Sequence, residues 1–275
     1  MTDTRALPHD VRAATQRHLD AADAAAPGLI RALYVTGSVA LGDYHPGRSD
    51  IDFMAFTGWP IAAADVAVLR EVHAGLQGPA CYDGNYVGPD EVPGVPDNGR
   101  AGPHIVGGAF STGECDALTP STWTEFGSYA ISVRGPAAGE LGISVRRERL
   151  HEWNLANLNG YWANLAKTSA RILAERDPAG PANAEGVAWA TLGPARLHYT
   201  LATGDITSKS GAASYALKRF AGYEHLISAA LAWRATGEGE FSNAVAQRGI
   251  ELVRVIVADA NQRWGAPTAP GAAAD

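Results

Sequence analysis

Cysteine is scarce in this 275-residue chain. Cys81 and Cys115 are too few for a disulfide framework, and neither sits in a C-x-x-C or Cys/His pattern that would hold zinc. Both are expected as reduced thiols. Long apolar runs are also missing: no stretch reaches the roughly 18 residues that a membrane-crossing helix needs. The opening MTDTRALPHDVRAAT has no apolar core of the secretory kind. These absences point to a cytoplasmic protein. An excess of positive charge is lacking too, with 22 Lys and Arg against 29 Asp and Glu and a net charge of −7. That balance is the opposite of a nucleic-acid binder's footprint. Nucleic acid and membrane are therefore set aside as partners, and a small cationic ligand is permitted.

What the chain does have is 46% hydrophobic residues, enough to bury real cores. The first half alternates strand and helix patterns, while the second reads as helix after helix, a two-domain signature. LIRALYVTG, DIDFMAFTG, CYDGNYV and AISVRG read as strands; residues 9–25, PIAAADVAVLREVHAGLQG and TPSTWTEFGSYA read as helices. Prolines and glycines between Gly88 and Gly102 make a loop. From Arg146 onward four long helical patterns follow, one of which Pro194 is expected to kink or divide. The expected fold is α/β (α+β): an N-terminal domain with a small mixed sheet over 1–145, an all-α bundle over 146–264, and a disordered tail at 265–275.

The stretch TGSVALGDYHPGRSDIDFMAF carries the chemistry. Strand alternation puts Asp50, Asp52 and Met54 on one face and Ile51, Phe53 and Ala55 on the other. Two like charges on one face repel unless a cation neutralises them. Magnesium suits the pair, because it accepts one or two carboxylates and completes its shell with water and phosphate oxygens. The Gly37-Ser38 turn ahead of them offers close backbone approach, N–H donors and a hydroxyl for phosphates. No G-K-[ST] follows, so this is not a Walker A loop, and GGAFSTGE lacks the strand-helix setting of a dinucleotide fingerprint.

A strand, Gly37-Ser38, about a dozen residues and then Asp50-x-Asp52 on the next strand resembles the signature of the polymerase beta-type nucleotidyltransferases. The later stretch ARLHYTLATGDITSKSGAASYAL resembles the C-terminal segment of aminoglycoside adenylyltransferases of the streptomycin/spectinomycin type. The resemblance implies Asp50 and Asp52 as ligands of Mg2+, two ions in all, with ATP as co-substrate. It implies Gly37, Ser38, Arg196 and Lys209 on the nucleotide phosphates, in a cleft between the domains, and a general base on the strand after Asp-x-Asp. Asp83 takes that place where the family carries a glutamate, with Asp90 and Glu91 as fallbacks.

Further candidates are Glu185 and Trp189 for a cationic acceptor, with the other helical tryptophans, His104 and His198 read as packing or surface residues. The implied activity is transfer of AMP from ATP to a hydroxyl of an aminoglycoside or aminocyclitol by a monomer, with release of pyrophosphate. Two alternatives stay open: a nucleotidyltransferase acting on another hydroxylated metabolite or a protein side chain, and a non-catalytic nucleotide-binding regulator.

Overall fold

A computed structural model describes residues 7–76, 78, 81–91, 100–115 and 117–265. It divides into two compact units, Met1–Leu150 and His151–Asp275. The tail expected to be disordered lies, beyond Gly265, outside the described residues.

The first unit is built on a mixed sheet. Its strands are β1 (Ile30–Thr36), β2 (Ile51–Thr57), β3 (Tyr82–Val87), β5 (His104–Val106), β6 (Ala109–Ser111) and β8 (Ile131–Arg134), in the order β6-β5-β3-β2-β1-β8. β2 runs antiparallel to β1 and parallel to β3; the remaining pairings are antiparallel. A separate short ribbon joins β4 (Arg100–Ala101) to β7 (Glu114–Cys115).

Alternation along the strands sorts the side chains into two cores. Leu33, Val35, Ile51, Phe53 and Ala55 pack with α1 (His9–Ala25) and α3 (Ala63–Ala74), through Val11, Leu19, Leu69 and Val72. Tyr34, Met54 and Phe56 pack on the other face against Trp123 and Phe126 of α4 (Pro120–Tyr129). Thr119 caps helix α4: the Thr122 N–H donates to Thr119 Oγ1 at 3.1 Å, and Pro120 follows as the first helical residue. Helix α3 begins three residues after Pro60 and ends at Gly75, earlier than the Gly78 read from the sequence.

Inside the first core His18 is fully buried, its Nδ1 3.0 Å from the Tyr82 hydroxyl and its Nε2 2.9 Å from that of Tyr86. A neutral imidazole has one donor and one acceptor nitrogen, so two hydroxyls satisfy it completely.

The second unit is helical. The α5 helix (Arg147–Asn157) contains the division between units and continues through a π-helical turn, Leu158–Trp162, into α6 (Ala163–Ala174). Then come α7 (Ala184–Thr203), α8 (Lys209–Arg219), α9 (Glu224–Thr236) and α10 (Asn243–Trp264), with a short ribbon between β9 (Pro181–Ala182) and β10 (Phe241–Ser242). The bundle packs around Trp162, Leu192, Ala195, Ala213, Ile227 and Ile256. Pro194 does not divide α7. Residues 191–195 are all buried, and that packing outweighs the one backbone hydrogen bond a proline removes, a cost of about 3 kcal/mol. Gly193 is needed beside it, because a Cβ there would lie 2.3 Å from the Trp162 ring. No helix among the described residues is long and apolar enough to cross a membrane.

Burial above all, with the nearby His73 and Arg134, lowers the His18 pKa from 6.5 to about 3. Between those values the unfolded chain binds a proton that the folded one refuses, so stability is lost as pH falls through that window. The urea midpoint should therefore drop from neutral pH to about pH 4, and His18→Phe should shrink that drop. The same variant should cost about 1–3 kcal/mol at neutral pH by stranding two buried hydroxyls. An undiminished pH dependence in the variant would assign the effect to other groups.

Candidate active site

Strand β1 delivers the chain to Gly37 at its C-terminal end, where a four-residue helix, α2 (Gly37–Ala40), turns it back. Residues 41–50 then fold tightly. The Asp43 N–H donates to the Ser38 carbonyl at 2.8 Å, the Ser49 N–H to the His45 carbonyl at 2.9 Å, and the Tyr44 hydroxyl to the Asp10 carboxylate on α1. This compact return brings β2 alongside β1 with Thr36 opposite Asp52. Gly37 adopts φ +63°, and a Cβ on it would fall 1.9 Å from Asp52 Oδ2. Glycine is required twice over, for the left-handed backbone and for the carboxylate pressed against it.

Asp50 is exposed just ahead of β2, and Asp52 is half-buried on it. Met54 and Phe56, next in the same alternation, pack in the core that α4 covers, so the Asp52 face is the α4 face of the sheet. Across the parallel pairing Asp52 stands opposite Asp83. The Cys81 thiol marks the same neighbourhood: burial pushes its pKa up, and the Asp50 and Asp83 carboxylates push it further.

Asp83 lies on a continuous strand, not beside a bend: Gly84 is buried within β3, where a Cβ would meet the Phe53 carbonyl at 2.2 Å. Its two carboxylate oxygens each accept a backbone N–H, Oδ2 from Gly107 at 2.6 Å and Oδ1 from Gly108 at 2.9 Å. Both glycines have positive φ, +59° and +75°, in the tight turn between β5 and β6. Of the two fallback carboxylates, Glu91 is tied back to the Gly88 N–H and Asp90 is exposed in the same turn.

Ser38 Oγ is buried and has no hydrogen-bond partner among the described residues. An orphaned hydroxyl beside a glycine turn is chemically suited to a phosphate oxygen. Two adjacent carboxylates with a third in register fit a magnesium ion that draws its remaining ligands from water and phosphate. No group of three or more His, Cys, Asp or Glu among the described residues forms an all-protein metal cage, which is not what such an ion requires.

In the second unit Arg196, on α7, reaches the turn that leads to Lys209 at the start of α8. Arg196 Nε donates to the Thr207 carbonyl at 3.1 Å, Gly204 ends α7 at φ +78°, and Ser208 caps α8 by accepting the Gly211 N–H at 3.1 Å. Lys209 is therefore the first residue of α8, at the positive end of the helix dipole. A cation there opposes helix stability. Trp189, 41% exposed, has Lys209 Nζ 5.7 Å from its ring centroid and leans on Trp162. Glu185 is exposed in the first turn of α7, one helical turn before Trp189, so the two share a face. His198 is buried, its ring held by the Tyr215 hydroxyl at 2.7 Å and the Asp259 carboxylate at 2.8 Å; it is a packing residue. His104 is likewise buried, its Nδ1 on the Gly102 carbonyl.

The structure adds groups that the sequence reading did not single out. The Gly37 N–H donates to Glu125 Oε1 of α4 at 2.6 Å, across 88 positions of chain. No local spacing marks such a pair. The Gly107-Gly108 clamp, in contrast, had a signal in the sequence, a Gly-Gly between two short apolar runs that specifies a tight hairpin.

Residues 17–79 match the nucleotidyltransferase domain, and residues 153–258 match the C-terminal domain of aminoglycoside adenylyltransferases. Among solved structures the fold is similar to the spectinomycin adenyltransferase AAD(9) of Enterococcus faecialis, crystallised with ATP and spectinomycin. The TM-score is 0.64 at 13% identity, over 90% of this chain and 98% of that one. No curated protein sequence matches.

Gly37→Ala should force the turn away from Asp52 and strain its backbone, costing about 1–3 kcal/mol of stability. Nucleotide-dependent activity should be lost at temperatures where the variant is still folded. Full activity in the alanine variant would show that the close approach to Asp52 is dispensable.

Proposed function

We propose that this chain, which belongs to the aminoglycoside adenylyltransferases and joins a nucleotidyltransferase domain to that family's C-terminal domain, transfers AMP from ATP to a hydroxyl of a streptomycin- or spectinomycin-class acceptor. The observation that carries the reading is the set of carboxylates Asp50, Asp52 and Asp83, gathered at neighbouring strand positions beside an unpartnered Ser38 hydroxyl.

Asp50 and Asp52 would hold magnesium, two ions in the full complex, which would offset the triphosphate's negative charge. Asp83 takes the proton from the acceptor hydroxyl, whose oxygen forms the new bond to the α-phosphorus as the bond to pyrophosphate breaks. The Gly107 and Gly108 amides keep the Asp83 carboxylate aimed while it does so. Ser38 donates to a phosphate oxygen, and Arg196 and Lys209 balance charge as it moves onto the leaving pyrophosphate. Glu185 and the exposed part of Trp189 take the cationic acceptor, the carboxylate for its charge and the indole for apolar contact.

Mass spectrometry of reactions containing ATP, magnesium and spectinomycin or streptomycin should find a product heavier by one AMP, with pyrophosphate released only when the acceptor is present. Silence across both drugs with ATP bound would point to another hydroxylated acceptor. Asp50→Asn and Asp52→Asn should each reduce turnover by at least about 10²-fold with the fold intact, since charge stabilisation is lost. Lys209→Ala should raise the KM for ATP while leaving the thermal midpoint unchanged or higher, because it removes a cation from the positive end of a helix. A lowered midpoint with an unchanged KM would make Lys209 a structural residue.

A further inference from the structure

Helix α4 is the rigid element over the face of the sheet that carries Asp52. Trp123 and Phe126, 1% and 0% exposed, fix it in the core formed with Tyr34, Met54 and Phe56, and its first turn is capped by Thr119. Glu125 lies between those two anchors, half-buried, and its Oε1 receives the Gly37 N–H at 2.6 Å. This bond is short and charge-assisted, of the kind that holds geometry as well as contributing energy. Gly37 itself lies against the Asp52 carboxylate, with a would-be Cβ 1.9 Å from Oδ2. One glycine thus connects α4 on its amide side to an active-site carboxylate on its Cα side.

We infer that Glu125 is a positioning residue for adenylyl transfer: its carboxylate holds the Gly37 amide and so sets the Gly37-Ser38 turn in register with Asp52. The inference deepens the proposed reaction and rests on that reading. It also changes how the turn recognises phosphate. The Gly37 N–H is already engaged by a protein carboxylate, whereas the Ser38 hydroxyl has no partner among the described residues and is suited to the nucleotide. The role needs an acceptor oxygen at the right reach from α4, and charge is secondary to it. Gln keeps that oxygen and the same length, Asp keeps the charge on a shorter arm, and Ala keeps neither.

The test is therefore a three-variant series read by kcat, by the KM for ATP, and by calorimetric titration of ATP with magnesium in the absence of acceptor. Glu125→Ala and Glu125→Asp should each lose about 10²-fold in kcat/KM, the scale expected when a reacting constellation shifts by an ångström, and should weaken ATP binding. Glu125→Gln should stay within about threefold of the parent on both readouts, since it retains the acceptor oxygen. If Glu125→Ala fails to fold, Glu125→Asp carries the same comparison. Parent-like behaviour of the Ala or Asp variant would overturn the inference, and so would a Gln variant as damaged as Ala, which would make Glu125 a metal ligand or base. The acceptor-free titration separates this outcome from a failure of the proposed function. With no drug adenylylated by the parent chain, loss of ATP binding in Ala and its rescue in Gln would still establish the positioning role.

Discussion

One glycine backbone pressed against one carboxylate governs the N-terminal site. Gly37 has the left-handed conformation that turns β1 into α2, and its Cα faces Asp52 so closely that no side chain fits between them. That contact sets where Ser38 stands and how the loop through Asp43 and Tyr44 returns to Asp50. It also brings negative groups close together, at a free-energy cost that grows with each added carboxylate. The fold meets part of this cost with backbone amides: Gly107 and Gly108 on Asp83, and Gly37 on Glu125. A cation supplies the rest in the proposed reaction, which is why stability and function pull in opposite directions at these strand ends.

The helical unit shows the complementary conflict, in positive charge. Lys209 occupies the position of α8 where the dipole least favours a cation, and Arg196 gives its Nε to the Thr207 carbonyl of the preceding turn. Close packing maintains this arrangement. Gly211 lies against the Thr207 hydroxyl, with a would-be Cβ 2.1 Å away, and Ala212, Ala213 and Ala216 bury the opposite side of the helix. Small residues along α8 thus let its first turn pack closely against the turn that follows α7.

Both units also bury a histidine that the proposed chemistry does not use. His18 is satisfied by two tyrosine hydroxyls, and His198 by one tyrosine and by Asp259, which in turn binds Arg219 and Arg263. Burial lowers the pKa of each ring, and at His198 the Asp259 carboxylate works against that shift. These networks tie distant elements together: α1 to β3 in the first unit, and α7 to α8 and α10 in the second. A fully paired polar core of this sort favours a single packing arrangement over looser alternatives.

The amino-acid sequence by itself determined the mixed-sheet and helical halves, the common face of Asp52 and Met54, the capped start of α4 and the Gly204 stop of α7. Each of these follows from periodicity, capping or glycine conformation, which act over a few residues and are written in order along the chain. The β5-β6 hairpin was legible too, in Gly107-Gly108, but nothing nearby in the sequence ties that turn to Asp83. Tertiary structure alone decided that Asp83 is held by two amides, that Glu125 takes the Gly37 N–H, and that α7 runs unbroken through Pro194. These outcomes depend on groups 24 and 88 positions apart in the chain, or on burial from every side at once. Local propensity describes the chain's near neighbours, and only packing chooses its distant ones.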